Sequence, residues 1–452
     1  MNRLHPYVRK LYLLVPLLLL SLQGYAQDRV PDNRSMILSL EDAIEIALEQ
    51  NFEIEQAVYD EDKTRAQFRQ TNAVFLPQLS FEYNAISTND PLNVFGFKLK
   101  QETVTQQDFN PVLLNNPGSY ENYSAVFKIQ QPLFNPDMIL QRSAAKQQLK
   151  SSQEQLQGTK RYIRYQVQNQ YFSLILRQRQ LDVIESALQT AGEHRRQAQN
   201  FYEEGMISKE DFLAARVYEL EMESRKLNTE NERAQVDESL ALLLGLDGEH
   251  IIVPSDSLQL TPAPRFEEND PAAEVNNAQT RAIEYRVQAA ERMVKSSNFS
   301  FLPKINLFGS YEYNDIDFAS FGASSYMIGA NLRWNIFSGF SKVGKSMEAR
   351  ADLNKARSMQ ENHRFEQENR VRQAIRALEY AEQELELTEE SIRQSTEDVK
   401  IRSNRYAQGM ESTTDLLEAE TKLAEAKLKN VMALFKHNMS IAALNMLLET
   451  NF

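Results

Sequence analysis

The side chains that carry most protein chemistry are sparse in this chain. Beyond its N-terminal leader the histidines are His194, His250, His363 and His437, too widely spaced to form a metal-ligand pattern. There is no cysteine, which removes thiolate metal sites, disulfides and a lipid-modified N-terminal Cys. No Gly-rich phosphate loop and no nucleophile–base set occurs. Catalytic, cofactor-binding and metal-binding residues are therefore expected to be none, and the chain is not expected to be an enzyme.

What does stand out is a polar set that occurs twice. Residues 201–217 read FYEEGMISKEDFLAARV and residues 405–421 read RYAQGMESTTDLLEAET. At an offset of 204 they share Tyr202/Tyr406, Gly205/Gly409, Met206/Met410, Ser208/Ser412, Asp211/Asp415, Leu213/Leu417 and Ala215/Ala419. In each copy a long helical pattern runs into a Gly that can close a helix in the left-handed conformation. Three residues later a Ser can cap the next helix, with Asp at the capping-box position. Each copy predicts a tight helix–turn–helix hairpin, with tips at 205–208 and 409–412.

The elements that must position these tips follow from the rest of the chain. Residues 1–26 are a secretory signal: Arg3, Arg9 and Lys10 precede an apolar core and Gly24-Tyr25-Ala26. Removing those three cations takes the formal net charge from −13 to −16, which argues against nucleic acid as a partner. No later apolar run of 18 residues is apparent, so a membrane position would have to be held by strands.

Ser39 to about Phe75 predicts one helix, ended by Phe75-Leu76-Pro77. A period of two then takes over, with Leu79, Phe81, Tyr83 and Ala85 apolar, a long Asn/Pro/Gly-rich loop over 85–119, and a second alternation at Tyr123, Ala125, Phe127 and Ile129. This first β-hairpin spans 78–134. A helix of roughly 67 residues, about 100 Å long, follows to the first tip, and a shorter one returns from it. The first repeat covers 27–246, a Pro-rich linker 247–272, and the second repeat 273–452, with its own Phe301-Leu302-Pro303 corner, a β-hairpin over 304–337, and a long and a returning helix. The chain is a tandem duplication.

Four strands of about 10 residues suit a bilayer, but four cannot close a barrel, and unpaired edges in hydrocarbon are costly. A homotrimer gives 12 strands. The expected fold is mainly α with β: a trimeric long α-helical barrel continued by a 12-stranded transmembrane β-barrel. Trp334, Tyr311, Tyr313 and Tyr326 suit an aromatic girdle against outer-membrane lipid. A periplasmic coiled-coil scaffold or adaptor-type interaction protein is the alternative; an adaptor needs one helical hairpin flanked by Gly-rich β domains, whereas this chain has two hairpins and 14 Gly.

At this point the sequence resembles the TolC-like outer-membrane efflux factors. The resemblance rests on Ala47-Leu48-Glu49-Gln50-Asn51-Phe52-Glu53-Ile54, both Leu-Pro corners and both tips, in duplicated order over essentially the whole mature chain. It implies a tunnel through outer membrane and periplasm, docked by a periplasmic adaptor (membrane fusion) protein and powered by an inner-membrane transporter of the RND or ABC class, serving tripartite efflux or type I secretion. It also implies that acidic rings close the tunnel at the periplasmic tip, at positions matching Asp415 and Glu418, three apart on one helix face. Positions matching Tyr406 and Asp211 belong to the restraining network. Where the family has a basic residue this chain has Glu411, so closure is expected to be held differently, through Lys209 or Arg405. The Gly205-Met206-Ile207 and Gly409-Met410 turns match the family's adaptor-docking tips.

Overall fold

A computed structural model describes residues 35–247, 250–263 and 275–450. The expected signal at 1–26 lies outside the described residues, as do 248–249 and 264–272 of the expected linker. The architecture is a bundle of very long helices carrying a small antiparallel sheet at one end. Its elements follow from two local signals, helix caps and Leu-Pro corners.

Helix α1 (Leu40–Gln50) starts at a complete capping box between Ser39 and Asp42. The single helix expected from Ser39 to Phe75 is broken at Asn51, where α2 (Phe52–Gln70) begins anew. Asn51 is extended (ψ 127°), and its side-chain Oδ1 accepts from the amides of Glu53 and Ile54 at 2.9 and 3.2 Å. Its Nδ2 donates to the Leu243 carbonyl at 2.8 Å, satisfying the end of a distant helix. Gly245 completes that joint, because at φ +75° a Cβ there would stand 2.4 Å from the Gln50 carbonyl oxygen.

After the first Leu-Pro corner come β2 (Gln78–Thr88) and β3 (Tyr120–Phe134). The segment between them, expected as loop, holds α3 (Pro91–Lys100) and α4 (Pro111–Asn115), each with Pro in its first turn behind an Asx cap. Helix α5 (Pro136–Glu203) has 68 residues and α6 (Lys209–Leu243) returns 35. A short strand β4 (Ile251–Pro254) falls within the expected linker and pairs in parallel with β1 (Ser35–Leu38), a pairing the sequence did not suggest. The second repeat supplies α7 (Ala278–Phe299), β5 (Lys304–Asp315), β6 (Ala323–Arg333), α8 (Ser341–Ala407) and α9 (Thr413–Leu448).

The short helices flank the long ones: α1, α2 and α6 pack along α5, and α7 and α9 along α8. The α5–α7 seam joins the repeats, with the Ser151 and Ser296 hydroxyls each donating across it at 2.8 Å to the Ala282 and Asp137 carbonyls. The largest core lies where α1, α5 and α6 meet β1 and β4, around Ile44, Ile163, Val167, Tyr171, Leu240 and Ile252. One expectation is corrected here. Helix α9 does contain an 18-residue window apolar enough, by length and composition, to cross a membrane. Its Ile441 and Leu444 are buried against Leu378 of α8, so this apolarity belongs to helix packing.

The four long strands form one antiparallel sheet in the order β2-β3-β5-β6. The β3–β5 ladder joins the two repeats, leaving β2 and β6 as unpaired edges. The expected 12-stranded barrel is thus not present among the described residues, which show an open four-stranded sheet. Strict alternation separates two faces. Leu79, Phe81, Phe127, Ile129, Tyr311, Tyr326 and Ile328 share one, while Ser80, Glu82, Lys128, Ser310 and Glu312 share the other. An 11-residue strand such as β2 is about 37 Å long and rises about 26 Å at a 45° tilt, close to a bilayer's apolar thickness.

Candidate functional site

The two helical tips are near copies in structure as in sequence. At the first, Gly205 takes φ +75°, the Met206 amide donates to the Phe201 carbonyl at 2.8 Å and the Gly205 amide to Tyr202 at 3.0 Å. At the second, Gly409 takes φ +71°, Met410 donates to Arg405 at 2.9 Å and Gly409 to Tyr406 at 2.9 Å. Both are Schellman closures, and nothing lies within 4 Å of a Cβ added at either Gly. Conformation rather than space demands glycine. Ser208 then caps α6 and Ser412 caps α9, their hydroxyls accepting from the Asp211 and Asp415 amides, both at 3.1 Å.

Within the turns themselves, 205–208 and 409–412, the copies differ at one position, Ile207 against Glu411. Ile207 leans on an apolar cluster of Ala198, Ala215, Tyr218 and Leu417. Glu411 instead lies between two guanidinium groups of α8, 3.0 Å from Arg402 Nη1 and 3.0 Å from Arg405 Nε, with its side chain only 8% exposed. Arg402 is itself held by Asp398 at 3.0 Å. That hydrogen bond, with the nearby charges of Asp398, Glu411 and Asp415, pushes the guanidinium further above its already high range. Of the two cations expected to answer Glu411, Arg405 does so and Lys209 does not pair with it. Arg402 was missed: the pairing spans nine residues across the turn, a separation no helix-spacing rule flags.

The acidic pair projects away from its own chain. Leu416, Leu417 and Ala419 bury the inner side of α9, while Asp415 and Glu418 stay exposed. Asp415 accepts from the Ser412 hydroxyl at 2.7 Å, and Glu418 pairs with Lys422 at 2.7 Å one turn on. Tyr406 is buried, and its hydroxyl lies 3.2 Å from that of Thr413, not on Asp211, whose carboxylate is taken by its own capping box. Burial above all, with Asp211 adding to it, raises the Tyr406 phenol above its ordinary range. Between the tips lies a cavity of about 460 Å³, lined by Phe201, Ile207 and Asp211 from one and Tyr406, Glu411 and Thr413 from the other. Met206 also borders it while Met410 does not, and each is 57% exposed.

Above the tips a second polar joint ties the hairpins together. Buried His194 of α5 lies 3.2 Å from Glu420 of α9. Tyr218 of α6 faces the same carboxylate, and burial first and that charge second raise its phenol above the usual range. Sequence reading considered His194 only as a metal ligand. Among the described residues no group of three or more His, Asp or Glu is placed to hold a metal.

At the sheet three of the four expected girdle residues gather, the Tyr311 and Tyr313 rings lying 5.1 Å apart, and Trp334 stands at the other end. Tyr311 and Tyr326 sit directly opposite one another in mid-strand, Tyr313 lies nearer the end remote from the helices, and Trp334 lies just past β6 at the helix end, its Nε1 donating to the Phe301 carbonyl at 3.0 Å. They do not form one belt.

With this geometry in hand, comparison places the chain. The model of the outer membrane efflux protein family matches residues 43–246 and 271–448, and the chain belongs to that family. It is accordingly a Gram-negative outer-membrane protein whose family and fold are those of a channel. Similar solved structures include the outer membrane protein VceC of Vibrio cholerae, at 18% identity and a TM-score of 0.77, covering 91% of this chain and 96% of that one. A membrane protein from Pseudomonas aeruginosa gives 18% and 0.80, covering 94% and 98%. The MtrE outer membrane channel of Neisseria gonorrhoeae, in its open state, gives 18% and 0.74, covering 94% of each chain. A search of curated proteins finds no significant match.

Proposed function

We propose that three copies of this chain close a shared β-barrel in the outer membrane and continue it as a helical cylinder through the periplasm, forming the passive exit duct of a tripartite efflux or type I secretion system. One observation carries the reading: a four-stranded sheet has two unpaired edges and an exposed face of Leu79, Phe81, Tyr326 and Ile328. In hydrocarbon each unpaired backbone group costs several kcal/mol, and pairing β6 of one copy with β2 of the next removes every edge at once.

In this reading the helical tips form the periplasmic aperture. Three copies of Asp415 and Glu418 set six carboxylates around it, where they attract cations. Glu411 does not reach across to a neighbour as a cation would; Arg402 and Arg405 hold it inside its own hairpin. Exposed Met206 and Met410 offer soft apolar contacts to a periplasmic adaptor, which couples the duct to an RND or ABC transporter of the inner membrane. Trp334 and Tyr313 mark the two margins of the apolar band. Specificity for drug, metal ion or polypeptide resides in the partners.

The aperture is tested by Asp415→Ala with Glu418→Ala in planar bilayers. Loss of divalent-cation block together with raised conductance supports the ring. Unchanged block rejects it.

A further inference from the structure

The first hairpin carries an insertion that the second lacks. Thirty-one residues, 89–119, separate β2 from β3, against seven, 316–322, between β5 and β6. The short loop lies over the apolar face: Phe318 packs edge-on against Tyr83 and Tyr123 at 5.8 and 5.6 Å, and the Ala319 amide donates to the Tyr83 hydroxyl at 2.8 Å. The long insertion goes to the other side. Lys100 Nζ stands 2.8 Å from Glu312, and Gln101 Nε2 donates to Asn122 Oδ1 at 2.9 Å. Asn122 in turn donates to Asn314 at 3.0 Å, and the Tyr120 hydroxyl donates to Gln101 at 2.8 Å. Glu312, Asn122 and Asn314 all belong to the polar face.

The burial pattern agrees. Asn122, Ser124, Val126, Asn314 and Ala323, polar-face positions at the end remote from the helices, are buried, as are Val94 and Gln101 of the insertion. Ser80, Lys128 and Met327, one level nearer the helices on the same face, are exposed. The insertion is also internally braced, with Lys98 on Asp108 at 2.6 Å and a capping box between Thr105 and Asp108. It is a folded cap seated on the end of the polar face remote from the helices.

We propose that residues 89–119 form an inward-folded cap that narrows the outer mouth of the duct, a second constriction independent of the helical tips. This rests on the reading above, in which the polar face lines the lumen. Twelve strands about 4.8 Å apart and tilted about 40° enclose a circle about 24 Å across. Three helices about 10 Å thick, one α3 from each copy, fill most of it. The fully satisfied chain from Tyr120 through Gln101 and Asn122 to Asn314 fixes the cap to the wall, while Lys100–Glu312 is an exposed ionic tie that contributes less.

The absence of native cysteine allows a direct test on intact cells. Ser80→Cys places a single thiol on the polar face below the cap, and Ile328→Cys one on the apolar face at the same level. Each is exposed from outside to a small membrane-impermeant maleimide and to one bearing a long polyethylene-glycol chain. The expected result is that Ser80→Cys reacts with the small reagent only, and with both once 89–119 is replaced by a turn copied from 316–322. If the shortened chain fails to reach the membrane, Lys100→Glu with Gln101→Ala, which loosens the cap at full length, is expected to raise labelling by the large reagent several-fold. Equal labelling by both reagents in the capped protein overturns the cap while leaving the duct intact. If Ile328→Cys reacts as readily as Ser80→Cys with the small reagent, the lumen assignment itself is wrong.

Discussion

Replacing Glu411 by Gln keeps the shape of the second tip and removes its charge. The carboxylate is nearly buried, whereas the Arg402 and Arg405 side chains that hold it are 33% and 56% exposed. Fully exposed pairs are worth about 0.2–1 kcal/mol and breaking fully buried ones costs about 3–5, so this mixed case falls at about 1–2 kcal/mol. At 1.4 kcal/mol per decade, that is about a 5- to 30-fold rise in the opening equilibrium of the turn. Hydrogen–deuterium exchange of the purified protein reads it at the amides of Gly409 and Met410, which are hydrogen-bonded to Tyr406 and Arg405. The first tip is an internal control, because Ile207 holds it by apolar contact, which salt does not screen. Exchange at 409–412 is expected to rise 5- to 30-fold in the variant, and part of that rise is expected for the wild type in molar salt. Exchange at 205–208 is expected to stay put in both. Equal responses at the two tips, or none at either, would refute the ion-pair account.

Two further outcomes follow from buried or paired hydroxyls and carboxylates. Tyr171, within 2.9 Å of the Leu38 carbonyl and of Asp256, is pushed up to about 12, chiefly by burial. A raised value means that its contribution is complete below about pH 10 and is lost as pH climbs from there to about 12; Tyr171→Phe, which removes one of two donors from the Leu38 carbonyl (the Ser255 amide remains, at 2.9 Å) and takes the phenol acceptor from the Asp256 amide, should cost about 0.5–1.5 kcal/mol in denaturation midpoints near neutrality. In the cap, the Lys98 ammonium and then Thr105 hold Asp108 down at about 2. Its contribution is therefore present above its ordinary 3.8 and is lost as pH falls from there towards 2. Asp108→Asn should leave the amides of 105–109 as poorly protected at pH 5 as those of the wild type near pH 2.

The duplication and both tips were legible because their signals are local: Gly closures, Ser–Asp caps and Pro corners act within four residues. The two sheet faces were legible for the same reason, since a strand's period is two. The break at Asn51 was not, because the apolar spacing runs on through it and the deciding acceptor is the Leu243 carbonyl, 192 residues away. The β1–β4 pair is equally remote in sequence. In the insertion, Asp90-Pro91 and Asn110-Pro111 are cap-plus-proline signals that an Asn-rich composition obscured. Arg402 stayed hidden because only the folded turn brings it to Glu411.

The central claim is that the unpaired edges of β2 and β6 are satisfied between copies. Native mass spectrometry of the protein extracted from outer membranes in mild detergent tests it most directly. A mass of three mature chains is predicted. A stable species of one chain would leave both edges open in the membrane and contradict the account.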